Sequence, residues 1–245
     1  MKNFISICSL FSLLTFSLHA ESIMPDKAIE NPSPVVIVPT AADAKLKPLS
    51  ATPRIFLIKN FLSSSECDHL IKNARPALAR SMVINSSSAQ DLEILHDART
   101  SQGMFFPQNH TDTVLSAIEK RIASLTNIPQ ENGEGLQVLF YGIGGEYQPH
   151  YDYFDTSTPG EKQSYDRGGQ RIATLIMYLH TTKEGGETIF PKAGVHVTPI
   201  KGDAVLFYNC DPYGKEDPMS LHGGAPVIKG EKWIATKWMR MGAFR

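Results

Sequence analysis

The alternation of apolar and polar positions divides the chain into a helical part and a strand-rich part. Ser63 and Glu66 have the spacing of a capping box, and the apolar residues that follow recur at helical spacing, which predicts a helix over residues 64–75. A second apolar stripe begins near Asp112 and stops before Pro129, which predicts a second helix. Each helix has one apolar face, so we expect both to pack against a neighbouring element.

After Gly133 the pattern changes to short runs of β-branched and aromatic residues separated by Gly, Pro and Asp. These runs cover residues 136–141, 146–154, 171–179, 187–190, 195–198, 204–208, 226–228 and 233–239. Closely spaced short strands without interleaved helices favour a β-sandwich or a closed barrel over βαβ units. We therefore expect a mainly β protein in which the two supporting α-helices cover the outside of one sheet.

The first 20 residues have the features of a targeting segment. Residues 1–20 combine basic Lys2, an apolar stretch and small Ala20, which is typical of a cleaved secretory signal peptide. An N-terminal membrane anchor stays open as an alternative, although the stretch is broken by Ser and Thr and is shorter than the roughly 20 apolar residues of a span.

The segment that follows is rich in Pro and Ala and lacks an apolar period. Residues 21–53 are therefore expected to form a linker or arm. The folded domain is then expected over residues 54–245, with a helical support at 54–130 and a β core at 134–241. A chain of 245 residues allows one or two domains, and this division leaves one.

Composition excludes several classes of function. The 24 basic side chains against 25 acidic ones provide no basic field for nucleic acid or an anionic membrane. Three cysteines without a Cys-x-x-Cys motif disfavour structural zinc. We expect Cys67 to be a buried thiol rather than bridged to Cys210, although an exported compartment would permit that bridge.

One group of residues has the composition of a metal centre. His150 and Asp152 are two positions apart in an expected strand, so their side chains would share a face. With His222 as the third ligand they would form the 2-His-1-carboxylate triad that holds non-heme Fe(II) and leaves positions open. An H-x-D motif alone is weak, because the chain has eight histidines.

The last run places a lysine on the same side as apolar residues. Alternation puts Lys232, Ile234, Thr236 and Trp238 on one face of the strand. If that face is interior, the Lys232 ammonium needs an anion, which a dicarboxylate cosubstrate would supply. A lysine that extends to solvent at the rim remains the alternative.

The chain resembles the catalytic domain of prolyl 4-hydroxylases of the short plant, algal and bacterial type. The resembling strings are PRIFLIKNFLSSSEC at 53–67, YGIGGEYQPHYDYF at 141–154, GGQRIATLIMYL at 168–179, EGGETIFP at 184–191, KGDAVLF at 201–207 and LHGGAPVIKGEKWIATKW at 221–238. Several strings in the same order are far more specific than one motif. The resemblance implies a double-stranded β-helix, or jelly roll, barrel with helices supporting the larger sheet.

The resemblance also implies the reaction: hydroxylation of peptidyl proline with Fe(II), 2-oxoglutarate and O₂, release of succinate and CO₂, and ascorbate as reductant. It implies His150, Asp152 and His222 as the iron ligands. The implied contacts of 2-oxoglutarate are Lys232, Tyr141 and Thr174, and the implied contacts of the peptide are Tyr147, Arg171 and Trp238. Two features depart from the family: Arg240 stands where relatives commonly have His, and the loop at residues 155–165 is short.

The expected partner is a proline-rich polypeptide in polyproline II form, for which an aromatic-lined groove is suited. We expect no nucleic acid and no membrane span after signal cleavage. Export would place the protein in the periplasm or medium of a bacterium, or in the ER lumen and secretory pathway of a eukaryote. Two alternatives remain: a 2-oxoglutarate oxygenase that modifies another residue or a non-collagenous target, and a non-catalytic jelly-roll binding module.

Overall fold

The computed structural model describes residues 46–245 except residues 89, 91, 92 and 212. The helices are α1 Ser64–Ala74, α2 Thr113–Thr126 and α3 Pro159–Asp166. The strands are β1 Leu46–Ala51, β2 Arg54–Ile58, β3 Ala79–Arg80, β4 Val83–Ile84, β5 Glu93–Ile94, β6 Gln102–Phe105, β7 Gln137–Tyr141, β8 Tyr147–His150, β9 Arg171–Tyr178, β10 Glu184–Gly185, β11 Thr188–Phe190, β12 Val195–Val197, β13 Ala204–Tyr208, β14 His222–Gly224, β15 Val227–Lys229 and β16 Lys232–Arg240. No helix among these described residues is long and apolar enough to cross a membrane.

Two antiparallel sheets form the body of the protein. The larger sheet has eight strands in the order β1-β2-β13-β9-β16-β7-β6-β3, and the smaller has four in the order β12-β11-β14-β8. The pairs β10-β15 and β4-β5 form separate two-stranded ribbons. The mainly β class is confirmed as an open two-sheet arrangement. The part of the prediction that closed the strands into a barrel is wrong for the described residues.

The larger sheet has a helix-covered face and an inner face, and alternation along β9 shows how the sequence encodes both. Ala173, Leu175 and Met177 pack with buried residues of α1 and α2, including Leu70 and Leu115. The intervening positions of β9 point to the other side, where the inner core joins both sheets. The larger sheet therefore separates an apolar core from the interior that contains the site.

The two predicted helices are confirmed, and their caps explain where they begin. The Ser63 side chain accepts from the Glu66 amide while the Glu66 carboxylate accepts from the Ser63 amide, which completes the capping box of α1. The Asp112 side chain accepts from the Leu115 amide at the start of α2. Capping fixes both N-termini where the sequence places them.

The predicted boundaries of the folded domain need correction at its start. The signal segment at residues 1–20 and most of the arm at residues 21–53 lie outside the described residues. The end of that arm is not irregular, because β1 pairs with β2 at the edge of the larger sheet, and a bulge follows Pro48. An edge position tolerates a proline, which has no amide to donate. The folded domain thus begins before Arg54.

Two other segments differ from expectation. Residues 54–130, predicted as a helical support, also contribute β2, β3 and β6 to the larger sheet. Residues 155–165, predicted as a loop, contain most of α3, a polar helix that begins with Pro159. Its composition gives no apolar period, so hydrophobic spacing could not reveal it.

The cysteines behave as the sequence suggests. Cys67 and Cys210 are both free and buried, and burial raises the pKa of the Cys67 thiol to about 11. The interpretation of Cys67 as a buried thiol is confirmed.

Candidate active site

Three potential metal ligands meet between the two sheets. His150 ends β8, His222 begins β14, and these two residues are directly paired in the antiparallel ladder. The Nε2 atoms of His150 and His222 lie 3.7 Å and 3.5 Å from the Asp152 carboxylate oxygens Oδ1 and Oδ2. All three residues offer ligand atoms within 4.8 Å of one another. The three predicted ligands therefore come together.

The reason for their convergence differs from the prediction. The strand expected over residues 146–154 ends at His150, and Asp152 lies in the bend that follows. Strand alternation therefore does not bring Asp152 to His150. The pairing of His150 with His222 sets the two imidazoles side by side, and the bend then returns the carboxylate toward them.

Backbone contacts fix both imidazoles in a metal-binding tautomer. The Nδ1 atoms of His150 and His222 lie 2.8 Å and 2.9 Å from the carbonyl oxygens of Gln148 and Ser220. A carbonyl oxygen only accepts, so each Nδ1 must donate, and Nε2, on the side of Asp152, is the nitrogen left to bind a metal.

The charges at the site suit a divalent cation. Burial and, to a smaller extent, the neighbouring His222 together lower the pKa of His150 to about 3, against the pull of Asp152. Burial alone would raise the pKa of Asp152, but His222, His150 and Arg171 outweigh it and bring that pKa to about 2. Two imidazoles and one carboxylate are the donor set of non-heme Fe(II) oxygenases, so these residues fit Fe(II).

Beside the triad lies a pocket, which we call the metal cavity, whose lining includes His150, Asp152 and His222 together with Tyr141, Thr174, Thr188 and Lys232. Lys232 is 2% exposed on the inner face of β16, next to Tyr141 in the register with β7. Its ammonium lies 5.4 Å from the centre of the Tyr141 ring. The predicted inward direction of this lysine is confirmed.

The Lys232 ammonium is buried without an anion. No residue in the described part of the chain forms a hydrogen bond or an ion pair with it, and burial lowers the pKa of Lys232 to about 8 despite the pull of Glu187. A buried cation is costly until an anion meets it. The site therefore has the charge that the far carboxylate of 2-oxoglutarate requires.

Thr174, which the resemblance implies as a contact of 2-oxoglutarate, forms hydrogen bonds to a metal ligand and to an amide. Its hydroxyl donates to Asp152 Oδ2 at 2.7 Å, and Asn209 Nδ2 donates to the Thr174 oxygen at 2.9 Å. Thr188 is another buried threonine of the cavity, and its oxygen accepts from the Tyr178 hydroxyl at 2.8 Å. Sequence reasoning missed Thr188 and Asn209, although Thr188 lies within the string EGGETIFP.

A larger depression, which we call the groove, adjoins the metal cavity and has a volume of about 850 Å³. Its lining includes Glu134, Tyr151, Phe154 and Arg240 together with the three predicted peptide contacts Tyr147, Arg171 and Trp238. It shares Arg99, Tyr147, His150, Asp152 and Trp238 with the metal cavity. Access to the metal ligands from the groove is therefore direct.

The groove residues hold one another in place. The Tyr147 ring stacks on the His150 imidazole with ring centres 3.6 Å apart. Arg171 donates two hydrogen bonds to the Glu134 carboxylate, at 2.6 Å and 2.8 Å, and its guanidinium lies 4.3 Å from the centre of the Trp238 ring. Glu134 was missed because its pairing joins distant parts of the chain.

Arg240, where the sequence departs from the family pattern, has structural contacts. It is 1% exposed, donates to the Ser164 carbonyl at the end of α3, and lies against the rings of Phe154 and Phe244. It therefore connects β16 with α3 and the C-terminal segment at one end of the groove.

Comparison with known proteins agrees with this chemistry. A family model for the 2OG-Fe(II) oxygenase superfamily matches residues 136–240. The chain is 38% identical to probable prolyl 4-hydroxylase 7 of Arabidopsis thaliana over 263 residues, which covers 98% of this chain and 81% of that protein. It is 44% identical to probable prolyl 4-hydroxylase 6 of the same plant over 221 residues, which covers 82% of this chain and 73% of the relative.

A solved structure shares both fold and sequence. The viral collagen prolyl hydroxylase of Paramecium bursaria Chlorella virus 1, crystallised with 2-oxoglutarate, superposes with a TM-score of 0.58 and 34% identity. The match covers 76% of this chain and 95% of the viral one. The protein is a 2-oxoglutarate-dependent dioxygenase of mainly β jelly-roll fold. The chain belongs to the prolyl 4-hydroxylase family of the 2OG-Fe(II) oxygenase superfamily.

Proposed function

We propose that the protein hydroxylates proline residues of extended, proline-rich polypeptides that bind in the groove. The observation that carries this proposal is the shared wall of the two pockets: Tyr147, His150 and Asp152 line both the groove and the metal cavity. A peptide in the groove would therefore place a side chain next to the metal ligands. Family membership supports proline as that side chain.

Each part of the site has a defined task in this reaction. His150, Asp152 and His222 would hold Fe(II), which activates O₂ for C–H hydroxylation while 2-oxoglutarate leaves as succinate and CO₂. Lys232 would pair with the far carboxylate of 2-oxoglutarate and so fix its orientation. Tyr141 adjoins Lys232 across the β7–β16 ladder and lines the same wall.

The groove supplies aromatic surface for an extended peptide. Its aromatic lining includes Tyr147, Tyr151, Tyr153, Phe154 and Trp238. Polyproline II segments are pre-ordered and bind aromatic-lined grooves with a small loss of entropy. The Glu134 carboxylate pairs with the Arg171 guanidinium on the groove wall, next to the Trp238 ring.

The test is turnover on defined peptides. Purified protein with Fe(II), 2-oxoglutarate and O₂ should release succinate when a proline-rich peptide is added and not when its prolines are replaced by alanine. Mass spectrometry should locate one added oxygen on proline. Oxygen on another residue would favour the alternative oxygenase, and 2-oxoglutarate binding without succinate from any peptide would favour the non-catalytic module.

We also propose ascorbate as the reductant that keeps the iron ferrous, as the family resemblance suggests. Ascorbate should extend the number of turnovers before activity is lost, whereas dithiothreitol of equal concentration should not. If both reductants extended the number of turnovers equally, a specific role for ascorbate would be rejected.

Export by the N-terminal segment is our proposal for localisation, and it is supported by the signal-like composition of residues 1–20. N-terminal sequencing of the protein from its host should find the chain beginning after that segment, in the periplasm, the medium or the secretory pathway. An intact N-terminus in a membrane fraction would favour the anchor.

A further inference from the structure

Asp152 is held differently from the two histidine ligands. The Nδ1 atom of each histidine donates to a backbone carbonyl two residues earlier. Asp152 lies in a bend beyond β8, and its hydrogen bond from a side chain comes from Thr174 in the other sheet. The orientation of the carboxylate thus depends on a contact between the sheets.

We propose that Asn209 and Thr174 act in series as positioning residues that orient the Asp152 carboxylate for metal binding. The inference rests on the family's metal site and not on proline as the target. It assigns Thr174 a role toward the metal ligand, whereas the family resemblance implies a role toward 2-oxoglutarate.

Thr174 is a rigid donor. It lies in the middle of β9, paired with Phe207 of β13 on one side and Trp238 of β16 on the other, and it is fully buried. A β-branched side chain on such a strand has restricted rotamers, so its hydroxyl has a fixed direction. That hydroxyl carries one proton, and the 2.7 Å contact gives it to Asp152 Oδ2.

Asn209 determines which way that proton points. Its Nδ2 donates to the Thr174 oxygen at 2.9 Å, so the hydroxyl is left to donate toward Asp152. Asn209 is itself fixed, because its backbone amide donates to the Ile172 carbonyl and its side chain is fully buried. The Asn209 Oδ1 atom has no hydrogen-bond partner, so the side chain bonds only through its Nδ2 atom.

The arrangement leaves one oxygen of the carboxylate for the metal. Thr174 takes Oδ2, and no described residue donates a hydrogen bond to Oδ1 of Asp152. Ligating carboxylates are commonly held by such an outer contact, and loss of the contact typically weakens metal binding by about 10–100-fold. The geometry therefore points to Thr174 as a determinant of metal affinity.

The experiment separates the metal role from the cosubstrate role. Mn²⁺ serves as the probe, since it binds the same donor set, and free Mn²⁺ is counted by electron paramagnetic resonance on the full chain without peptide. The variants are Thr174→Val, Thr174→Ser and Asn209→Leu. Thr188→Val is the matched control, because it removes a buried hydroxyl from the same cavity that does not contact Asp152.

We expect Thr174→Val to raise the Mn²⁺ Kd about 10-fold or more, and Thr174→Ser to stay within about threefold of the parent. The Kd of 2-oxoglutarate at saturating Mn²⁺ should change little in Thr174→Val. Asn209→Leu should also raise the Mn²⁺ Kd. The double variant Thr174→Val/Asn209→Leu should have the same Mn²⁺ Kd as Thr174→Val alone, because Asn209 acts through Thr174. Thr188→Val should leave Mn²⁺ binding unchanged.

Three results would overturn the proposal: an unchanged Mn²⁺ Kd in Thr174→Val, an equal loss in Thr188→Val, or a rise confined to the Kd of 2-oxoglutarate. Thermal melting of the metal-free variants shows whether each is folded. If Thr174→Val does not fold, the test rests on Asn209→Leu. An unchanged Mn²⁺ Kd in that variant would reject the proposal that Asn209 acts through Thr174 on Asp152. Since no peptide is used, a failure of proline hydroxylation would not affect these results.

Discussion

The metal cavity and the groove share a wall but are built from different parts of the chain. The cavity takes its lining from strands of both sheets, including β7, β9, β11, β14 and β16. The groove adds short elements: the β4–β5 ribbon, α3 and the bend after β8. Strands therefore supply most of the cavity lining, although Asp152 lies in the bend after β8, whereas the groove combines strand residues with these shorter elements.

The two regions also differ in charge. In the cavity, Lys232 is buried and no described residue supplies its anion. In the groove, Arg171 already has its anion in Glu134. The cavity thus has a buried cation that a dianion from outside can pair with, while Arg171 in the groove is already paired. Variants in the two regions should therefore affect different ligands.

The largest effect is expected from the carboxylate of the triad. Asp152→Ala removes one of three metal ligands, so turnover should fall by more than about 10³-fold together with metal binding. Succinate release and Mn²⁺ titration measure the two losses. Asp155→Ala is the control, since Asp155 lies outside the metal cavity and should retain metal binding. Turnover and Mn²⁺ binding close to those of the parent in Asp152→Ala would show that the carboxylate is not a required ligand.

A smaller effect, confined to one ligand, is expected at Lys232. Lys232→Ala removes the buried ammonium and should raise the KM for 2-oxoglutarate by about 10²-fold, as loss of a desolvated charge partner does. The Mn²⁺ Kd and the KM for peptide should stay close to those of the parent. Lys229→Ala, at an exposed position of β15, is the control. A rise in the peptide KM as large as that for 2-oxoglutarate would contradict the separation of cavity from groove.

The complementary effect is expected in the groove. Glu134→Gln keeps the shape of the side chain but removes the charge that orients Arg171, so kcat/KM for peptide should fall about 10-fold. Binding of 2-oxoglutarate in the absence of peptide, measured by calorimetry, should not change. If 2-oxoglutarate binding weakened instead, Arg171 would belong functionally to the cavity.

The same contrast explains what the sequence could and could not predict. Local signals placed the capping box at Ser63, and alternation along the last strand gave the inward direction of Lys232 correctly. Both depend on neighbours in sequence. The helix α3 was not predicted because it is short and polar, and β1 was missed because its proline is tolerated only at a sheet edge, which the sequence does not identify.

Contacts between the sheets could not be predicted from the sequence for a different reason. Thr174 and Thr188 both point inward from strands and line one cavity, so pattern alone could not tell which one meets Asp152. The choice depends on tertiary packing, which brings Asn209 and Asp152 to Thr174 and Tyr178 to Thr188. The pairing of Glu134 with Arg171 likewise joins residues that are far apart in sequence.

The smallest effect expected here is a pH dependence specific to the cavity. Burial lowers the pKa of Lys232 to about 8 in the protein without cosubstrate. The Lys232 side chain is therefore positively charged below about pH 8 and loses its proton above it. Because 2-oxoglutarate then meets a neutral amine, its kcat/KM should decline above about pH 8 and fall severalfold by pH 9. The bound dianion stabilises the charged form, so kcat at saturating 2-oxoglutarate should not show this decline. Lys232→Arg keeps its charge throughout the range and should abolish the decline at whatever affinity it retains. A decline of the same size in Lys232→Arg would assign the titration to another group.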